Sequence, residues 1–137
     1  MKTLENIIDD MMEFNRQSNK SRLEHIHLTW EAEAYQTVSY NPGRQIGKSM
    51  LIARKAKADD LIICHNSYAM REMQARTNFF NMGGRTVKTI SNIDYIGVRK
   101  IKYNVIWVDS PSCLNSDSIN KIYMDYAGRC NQFVFLG

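Results

Sequence analysis

Apolar positions along the chain follow two spacings. Short runs of β-branched and aromatic residues predict buried strands, and apolar residues three or four positions apart predict helices between them. The predicted strands are 34–41, 61–65, 85–90, 103–109 and 132–136. The predicted helices are 4–18, 49–57, 68–80 and 117–129. Strands that alternate with helices predict an α/β fold, with a parallel sheet flanked by helices.

The 137 residues fit one domain. Within it we distinguish an N-terminal helix and connector, 1–33, from a core, 34–137. Trp30 is expected to be a buried aromatic. The basic stretch 95–102 contains a glycine and gives no clear pattern.

Composition narrows the functional classes only a little. A net charge of +4 and a pI of about 9.0 are compatible with nucleic acid, and equally with a protein that binds phosphates. The three cysteines have no C-x-x-C spacing, which favours reduced thiols. The chain has no run as long as a membrane span and no signal-peptide pattern, so we expect a cytoplasmic protein without a membrane partner.

The main chemical signal lies between the first predicted strand and the helix that follows it. A Pro-Gly turn leads there into Gly43, Arg44, Gln45, Ile46, Gly47, Lys48 and Ser49. Backbone N–H groups of such a loop, together with the helix N-terminus, can cradle phosphate oxygens. In the pattern G-x-x-x-x-G-K-[ST], the lysine reaches the β- and γ-phosphates and the hydroxyl binds Mg²⁺.

The match to that pattern is incomplete at its start. Pro42 stands at the first glycine position, and Gly43 follows one place late. The end of the pattern, Gly-Lys-Ser, is intact. The simpler alternative is a surface turn that contains these three residues by chance.

A second signal is an aspartate that ends the predicted strand 103–109. Four apolar residues precede Asp109. Ligands of open α/β sheets bind at the carboxyl ends of the strands, and a carboxylate there can bind Mg²⁺. An aspartate that only caps a buried strand is the alternative. The two signals together predict that the chain binds a nucleotide with Mg²⁺.

The loop 43–49 resembles the phosphate loop of phage large terminases, the DNA-packaging motors, which typically reads small residue-Arg-Gln-x-Gly-Lys-Ser/Thr. The order of the core strands is also similar to that of these ATPases and of superfamily 2 helicases. The resemblance covers residues 34–137 and implies a P-loop NTPase with a RecA-like (ASCE) three-layer core.

The resemblance also implies roles for the site residues. Lys48 would bind the phosphates, Arg44 would stabilise the γ-phosphate, and Gln45 and Ile46 would belong to the loop. Ser49 and Asp109 would hold Mg²⁺. ATP and Mg²⁺ would be the cofactors, and the partners would be double-stranded DNA, further copies of the chain or a larger motor subunit. A viral chain would act in the host cytoplasm. Candidate contacts to DNA are Arg54, Lys55, Lys57, Arg99, Lys100 and Lys102.

The chain departs from that family directly after Asp109. Active members carry a glutamate there to orient the attacking water, and this chain has Ser110, which cannot act as a carboxylate base. Glu72 and Asp117 are the substitutes that the sequence offers. Three hypotheses remain: a minimal ATPase, a nucleotide-binding module without turnover, and a small-molecule kinase. The sequence has no Arg-rich lid segment after Asp109, which argues against the kinase.

Overall fold

The computed structural model describes residues 3–20, 29–43, 47–80, 86–89 and 102–137. The strands in these ranges are β1 (Thr37–Tyr40), β2 (Leu61–Cys64), β3 (Thr86–Thr89), β4 (Tyr103–Asp109) and β5 (Cys130–Leu136). The α-helices are α1 (Leu4–Ser18), α2 (Thr29–Tyr35), α3 (Lys48–Lys55), α4 (Ser67–Phe79) and α5 (Ser116–Tyr126). A 3-10 turn, Pro111–Cys113, follows β4.

The five described strands form one parallel sheet in the order β1-β5-β4-β2-β3. The predicted parallel α/β sheet is therefore confirmed. Helix α3 connects β1 to β2, and α5 connects the neighbouring strands β4 and β5, because parallel strands of one sheet need a crossover connection. All five strands consequently end at the same side of the sheet, which we call the carboxyl edge.

Apolar layers cover both faces of the sheet. Helices α1, α3 and α4 pack on one face, where Ile8, Ile52 and Met73 are fully buried. Helices α2 and α5 pack on the other face, chiefly through Ala32 and Tyr126. Successive residues of a central strand point into different layers, which explains the continuous apolar runs of β2 and β4.

Side-chain caps fix the starts of three helices. The hydroxyl of Thr3 accepts a hydrogen bond from the backbone N–H of Asn6 in α1, at 3.2 Å. The side-chain oxygens of Asn66 and Asn115 accept in the same way at the starts of α4 and α5, both at 2.8 Å. Each such cap contributes about 1 kcal/mol. The predicted extent of the first helix, 4–18, is confirmed.

The largest difference from the sequence prediction lies at the start of the first strand. Residues 34 and 35 end helix α2, and β1 begins only at Thr37. The carbonyl of Ala32 accepts both the Gln36 N–H at 3.0 Å and the Thr37 hydroxyl at 2.9 Å, which extends the helical turn. Trp30 is 60% exposed, so the prediction of a buried aromatic is wrong.

Other boundaries shift by one to three residues, as expected of helix ends. Strand β5 begins at Cys130 rather than at residue 132, because Cys130 pairs with Tyr103 of β4. The stretch 95–102 lies outside the described residues except for Lys102. Among the described helices, none is both long and apolar enough to cross a bilayer.

Candidate functional site

Three strand ends and one helix start meet at the carboxyl edge. The N–H of Gly137, directly after β5, donates to the carbonyl of Tyr40 at the end of β1, at 2.9 Å. The N–H of Ser110, directly after β4, donates to the carbonyl of Leu136 at 3.1 Å. Strand pairing therefore continues to the last residues of β1, β5 and β4. These hydrogen bonds hold the ends of the three strands in place, and side chains from the start of α3 lie next to them.

The first of these side chains is Ser49, whose hydroxyl donates to the Oδ2 atom of Asp109 at 2.9 Å. Asp109 is only 5% exposed. Its Oδ1 atom accepts a longer contact of 3.4 Å from the Ser110 hydroxyl. The two predicted Mg²⁺ residues thus contact each other, and together they present oxygen atoms of the kind that Mg²⁺ prefers.

Gly47 forms the turn into α3. Its φ of 72° and ψ of 26° are left-handed, a conformation that glycine adopts without the penalty of a β-carbon. Its carbonyl accepts the Leu51 N–H at 2.9 Å. Gly47 has no side chain that could cap the helix, so the first N–H groups of α3 remain available to bind an anion. The helix dipole also favours an anion at this position.

Lys48 reaches from the first turn of α3 to the end of β5. A β-carbon built on Gly137 would lie 2.8 Å from the Lys48 Nζ atom. The ammonium group therefore lies beside the position that a side chain of residue 137 would occupy, and that position adjoins the Cα atom of Ser110. The structure brings Lys48, Ser49 and Asp109 together at one place, although Lys48 and Asp109 are far apart in sequence.

The remaining loop residues of the prediction are only partly described. Gly43 N–H donates to the side-chain oxygen of Asn41 at 3.1 Å, which fixes the turn after β1. Arg44, Gln45 and Ile46 lie outside the described residues, so their predicted roles stay predictions.

Ser110 has an unusual backbone. Its φ of 55° and ψ of 56° are left-handed, and it is the one non-glycine residue with positive φ in the described part of the chain. Such a conformation stores about 1–3 kcal/mol of strain and is concentrated at functional sites. The backbone turns away from the strand direction here and enters the Pro111–Cys113 turn.

Neither substitute carboxylate is held against Asp109 by a contact within the described residues. Glu72 receives a 3.5 Å contact from Arg76 on the same helix. Asp117 is exposed in the first turn of α5. The basic residues at the end of α3 are also engaged elsewhere, since Arg54 contacts Glu5 at 3.4 Å and Lys55 pairs with Asp9. These ion pairs make Arg54 and Lys55 weaker candidates for DNA contacts.

Two neighbours of the site were not predicted. Gly137 leaves room for the Lys48 ammonium, and its signal in the sequence was a glycine directly after an apolar strand. Cys64 is fully buried at the end of β2. Burial raises the pKa of its thiol to about 12, and the nearby charge of Asp109 adds to the shift.

The described residues contain no group of three or more His, Cys, Asp or Glu side chains that could hold a metal ion. That finding leaves room for Mg²⁺, which often takes one or two protein oxygens and completes its shell with phosphates and water. Neither a scan against protein-family models nor a search of curated proteins finds a match to this chain.

Proposed function

We propose that this chain is a P-loop protein that binds ATP with Mg²⁺ at the carboxyl edge. The observation that carries the proposal is the 2.9 Å contact between Ser49 and Asp109 beside the Lys48 ammonium. A hydroxyl, a buried carboxylate, an ammonium and a helix N-terminus are the groups that a phosphate chain with its cation requires.

The topology supports the same position for the ligand. The neighbouring strands β2 and β4 continue into α4 and α5, which pack on opposite faces of the sheet. Connections that diverge to opposite faces open a crevice outside the carboxyl ends of the strands, where open α/β sheets bind their ligands. Asp109 borders this crevice at the end of β4, and Ser49 reaches it through its contact with Asp109.

In this proposal each residue has one task. The N–H groups that follow Gly47 hold phosphate oxygens, and the Lys48 ammonium neutralises charge on the β- and γ-phosphates. The oxygens of Ser49 and Asp109 would hold Mg²⁺, which supplies further charge neutralisation when bound. The proposed role of Arg44 is a second positive charge at the γ-phosphate.

The contacts at Ser110 favour binding over rapid hydrolysis. A general base must reach the attacking water, and Ser110 provides only a hydroxyl in a backbone that turns out of the strand. We therefore place the chain first as a nucleotide-binding module, whose turnover depends on a carboxylate from another chain. The alternative is a minimal terminase-like ATPase in which a residue of this chain replaces the missing glutamate.

The first experiment compares wild type with Lys48→Ala by calorimetric titration of ATP with Mg²⁺. We expect Lys48→Ala to weaken binding by about tenfold to a hundredfold, since a hydrogen bond to a charged group contributes about 1.5–3 kcal/mol. Lys57→Ala is the matched control, because it removes the same charge from an exposed position beyond the other end of α3. Equal binding by wild type and Lys48→Ala would contradict the proposal.

Turnover then separates the hypotheses. Phosphate release stimulated by double-stranded DNA and lost in Lys48→Ala supports a motor-type ATPase. Binding without phosphate release, with or without DNA, supports the module. Transfer of phosphate to a small-molecule acceptor in a screen supports the kinase instead.

A further inference from the structure

Gly137 has no side chain, and the Lys48 ammonium lies next to the space that a side chain there would fill. A β-carbon at residue 137 would lie 2.8 Å from the Lys48 Nζ atom and 3.3 Å from its Cε atom. The same β-carbon would lie 3.2 Å from the Cα atom of Ser110. Real side chains do not tolerate the first of these distances, so lysine and any residue larger than glycine compete for this space.

Hydrogen bonds limit how far Gly137 can move to relieve that competition. Its N–H is bound to the Tyr40 carbonyl at 2.9 Å, on the β1 side. The preceding carbonyl, of Leu136, accepts the Ser110 N–H at 3.1 Å, on the β4 side. Hydrogen bonds on both sides thus fix this backbone relative to the two neighbouring strands.

Of the groups around this space, the Lys48 ammonium can move most easily. Lys48 Nζ is the end of a flexible side chain, whereas Ser110 Cα belongs to the backbone of a turn closed by the 3.0 Å bond from Cys113 N–H to the Ser110 carbonyl. A methyl group at residue 137 would therefore displace the ammonium more than it would disturb the fold. The φ of 129° at Gly137 adds a separate backbone cost, because it lies in a region that L-residues avoid.

We propose that Gly137 is a positioning residue for Lys48: its missing side chain keeps the space between the ends of β4 and β5 open for the ammonium that binds phosphate. The expected effect on nucleotide affinity rests on the proposed function. The steric relation between the two residues can be tested without nucleotide. Gly137 itself need not touch the ligand.

The test uses Gly137→Ala with Gly128→Ala as the matched control. Gly128 also has a positive φ, 81°, in the exposed turn between α5 and β5, so its substitution carries the backbone cost without Lys48 nearby. We expect Gly137→Ala to weaken binding of ATP with Mg²⁺ by about tenfold, and Gly128→Ala to change it by less than about twofold. Equal losses in both variants, or none in Gly137→Ala, would overturn the inference.

Nuclear magnetic resonance without nucleotide gives the independent readout. In wild type we expect a nuclear Overhauser effect between the Lys48 ε-methylene and the Gly137 α-protons, and its absence would refute the contact even if no variant folds. The Lys48 ε-methylene signal should shift in Gly137→Ala and stay in place in Gly128→Ala. Failure of wild type to bind ATP would refute the proposed function, while these signals would still decide whether Gly137 positions Lys48.

Discussion

Two buried aspartates lie at opposite ends of the sheet, and their surroundings differ. Asp60, just before β2, is 2% exposed and accepts hydrogen bonds from the Lys57 N–H at 2.8 Å, the Val105 N–H at 3.0 Å and the Trp107 indole N–H at 3.1 Å. Asp109, at the end of β4, is 5% exposed and, within the described part of the chain, accepts hydrogen bonds from the hydroxyls of Ser49 and Ser110.

The difference separates a structural carboxylate from one that is available to a ligand. Two of the donors to Asp60, the Val105 N–H and the Trp107 indole, are buried on β4 and cannot turn to another partner without displacing that strand, and the third, the Lys57 N–H, is partly buried. The donors to Asp109 are hydroxyls that rotate freely, and their oxygens can accept or bind a cation as readily as they donate. Burial alone therefore does not separate the two aspartates, whereas the type of donor around each of them does.

The largest expected effect on stability is at the amino end of the sheet. Asp60→Ala leaves three N–H donors without their acceptor, two of them on the central strand β4, and each unsatisfied buried donor costs about 1–3 kcal/mol. We expect the free energy of unfolding in urea to fall by about 3 kcal/mol or more. Asp59→Ala, at the exposed neighbour, should change it by about 0.5 kcal/mol or less. Similar losses in both variants would remove the structural role assigned to Asp60.

At the carboxyl edge we expect the opposite result, a small change in stability and a large change in ligand binding. Asp109→Asn keeps an acceptor for the Ser49 hydroxyl, so we expect the free energy of unfolding to change by about 1 kcal/mol or less. Binding of ATP should lose most of its dependence on Mg²⁺, because a neutral amide is a poor ligand for a hard cation. Calorimetric titrations with Mg²⁺ and with a chelator measure this dependence.

Asp117→Asn is the control for that experiment, since it removes an equivalent charge from an exposed position on α5. It should retain the full Mg²⁺ dependence. If Asp109→Asn also retains it, or if Asp109→Asn unfolds like Asp60→Ala, the contrast between the two aspartates is wrong.

The sequence was informative where local chemistry decides structure. Periodicity located the central strands, because β2 and β4 are buried on both faces and need continuous apolar runs. Glycine, lysine and serine at one helix start, with an aspartate ending a strand, gave the candidate site. The Ser49–Asp109 contact agrees with that prediction in position, whereas its chemistry stays a proposal.

What the sequence concealed depends on pairing between distant segments. The structural role of Asp60 could not be predicted, because its donors on β4 become visible only when β2 and β4 pair. Gly137 could not be linked to Lys48 before β5 was known to lie between β1 and β4. The start of β1 was predicted too early, since the extension of α2 depends on a threonine side chain that binds back to the helix.

The smallest expected effect concerns Cys64, the thiol next to Asp109 at the carboxyl edge. Burial, and secondarily the Asp109 charge, raise the pKa of Cys64 from 9.0 to about 12. In the unfolded chain the thiol loses its proton at its usual, lower pKa. The unfolded state therefore binds fewer protons than the folded state between these values. Stability is retained below pH 9 and falls as the pH rises through this range, by up to about 1.4 kcal/mol per pH unit for this group.

Urea titrations at pH 8, 9 and 10 measure that slope in wild type and in Cys64→Ala. We expect a smaller decline above pH 9 in Cys64→Ala, while Cys113→Ala, which changes an exposed thiol, should decline like wild type. A thiol reagent at pH 8 should label Cys113 in the folded protein and reach Cys64 and Cys130 only on unfolding, since both are buried. Rapid labelling of Cys64 in the folded protein, or equal slopes in all three proteins, would show that the carboxyl edge is open to solvent as far as β2. The contrast between the two ends of the sheet would then reflect exposure rather than the type of donor around each aspartate.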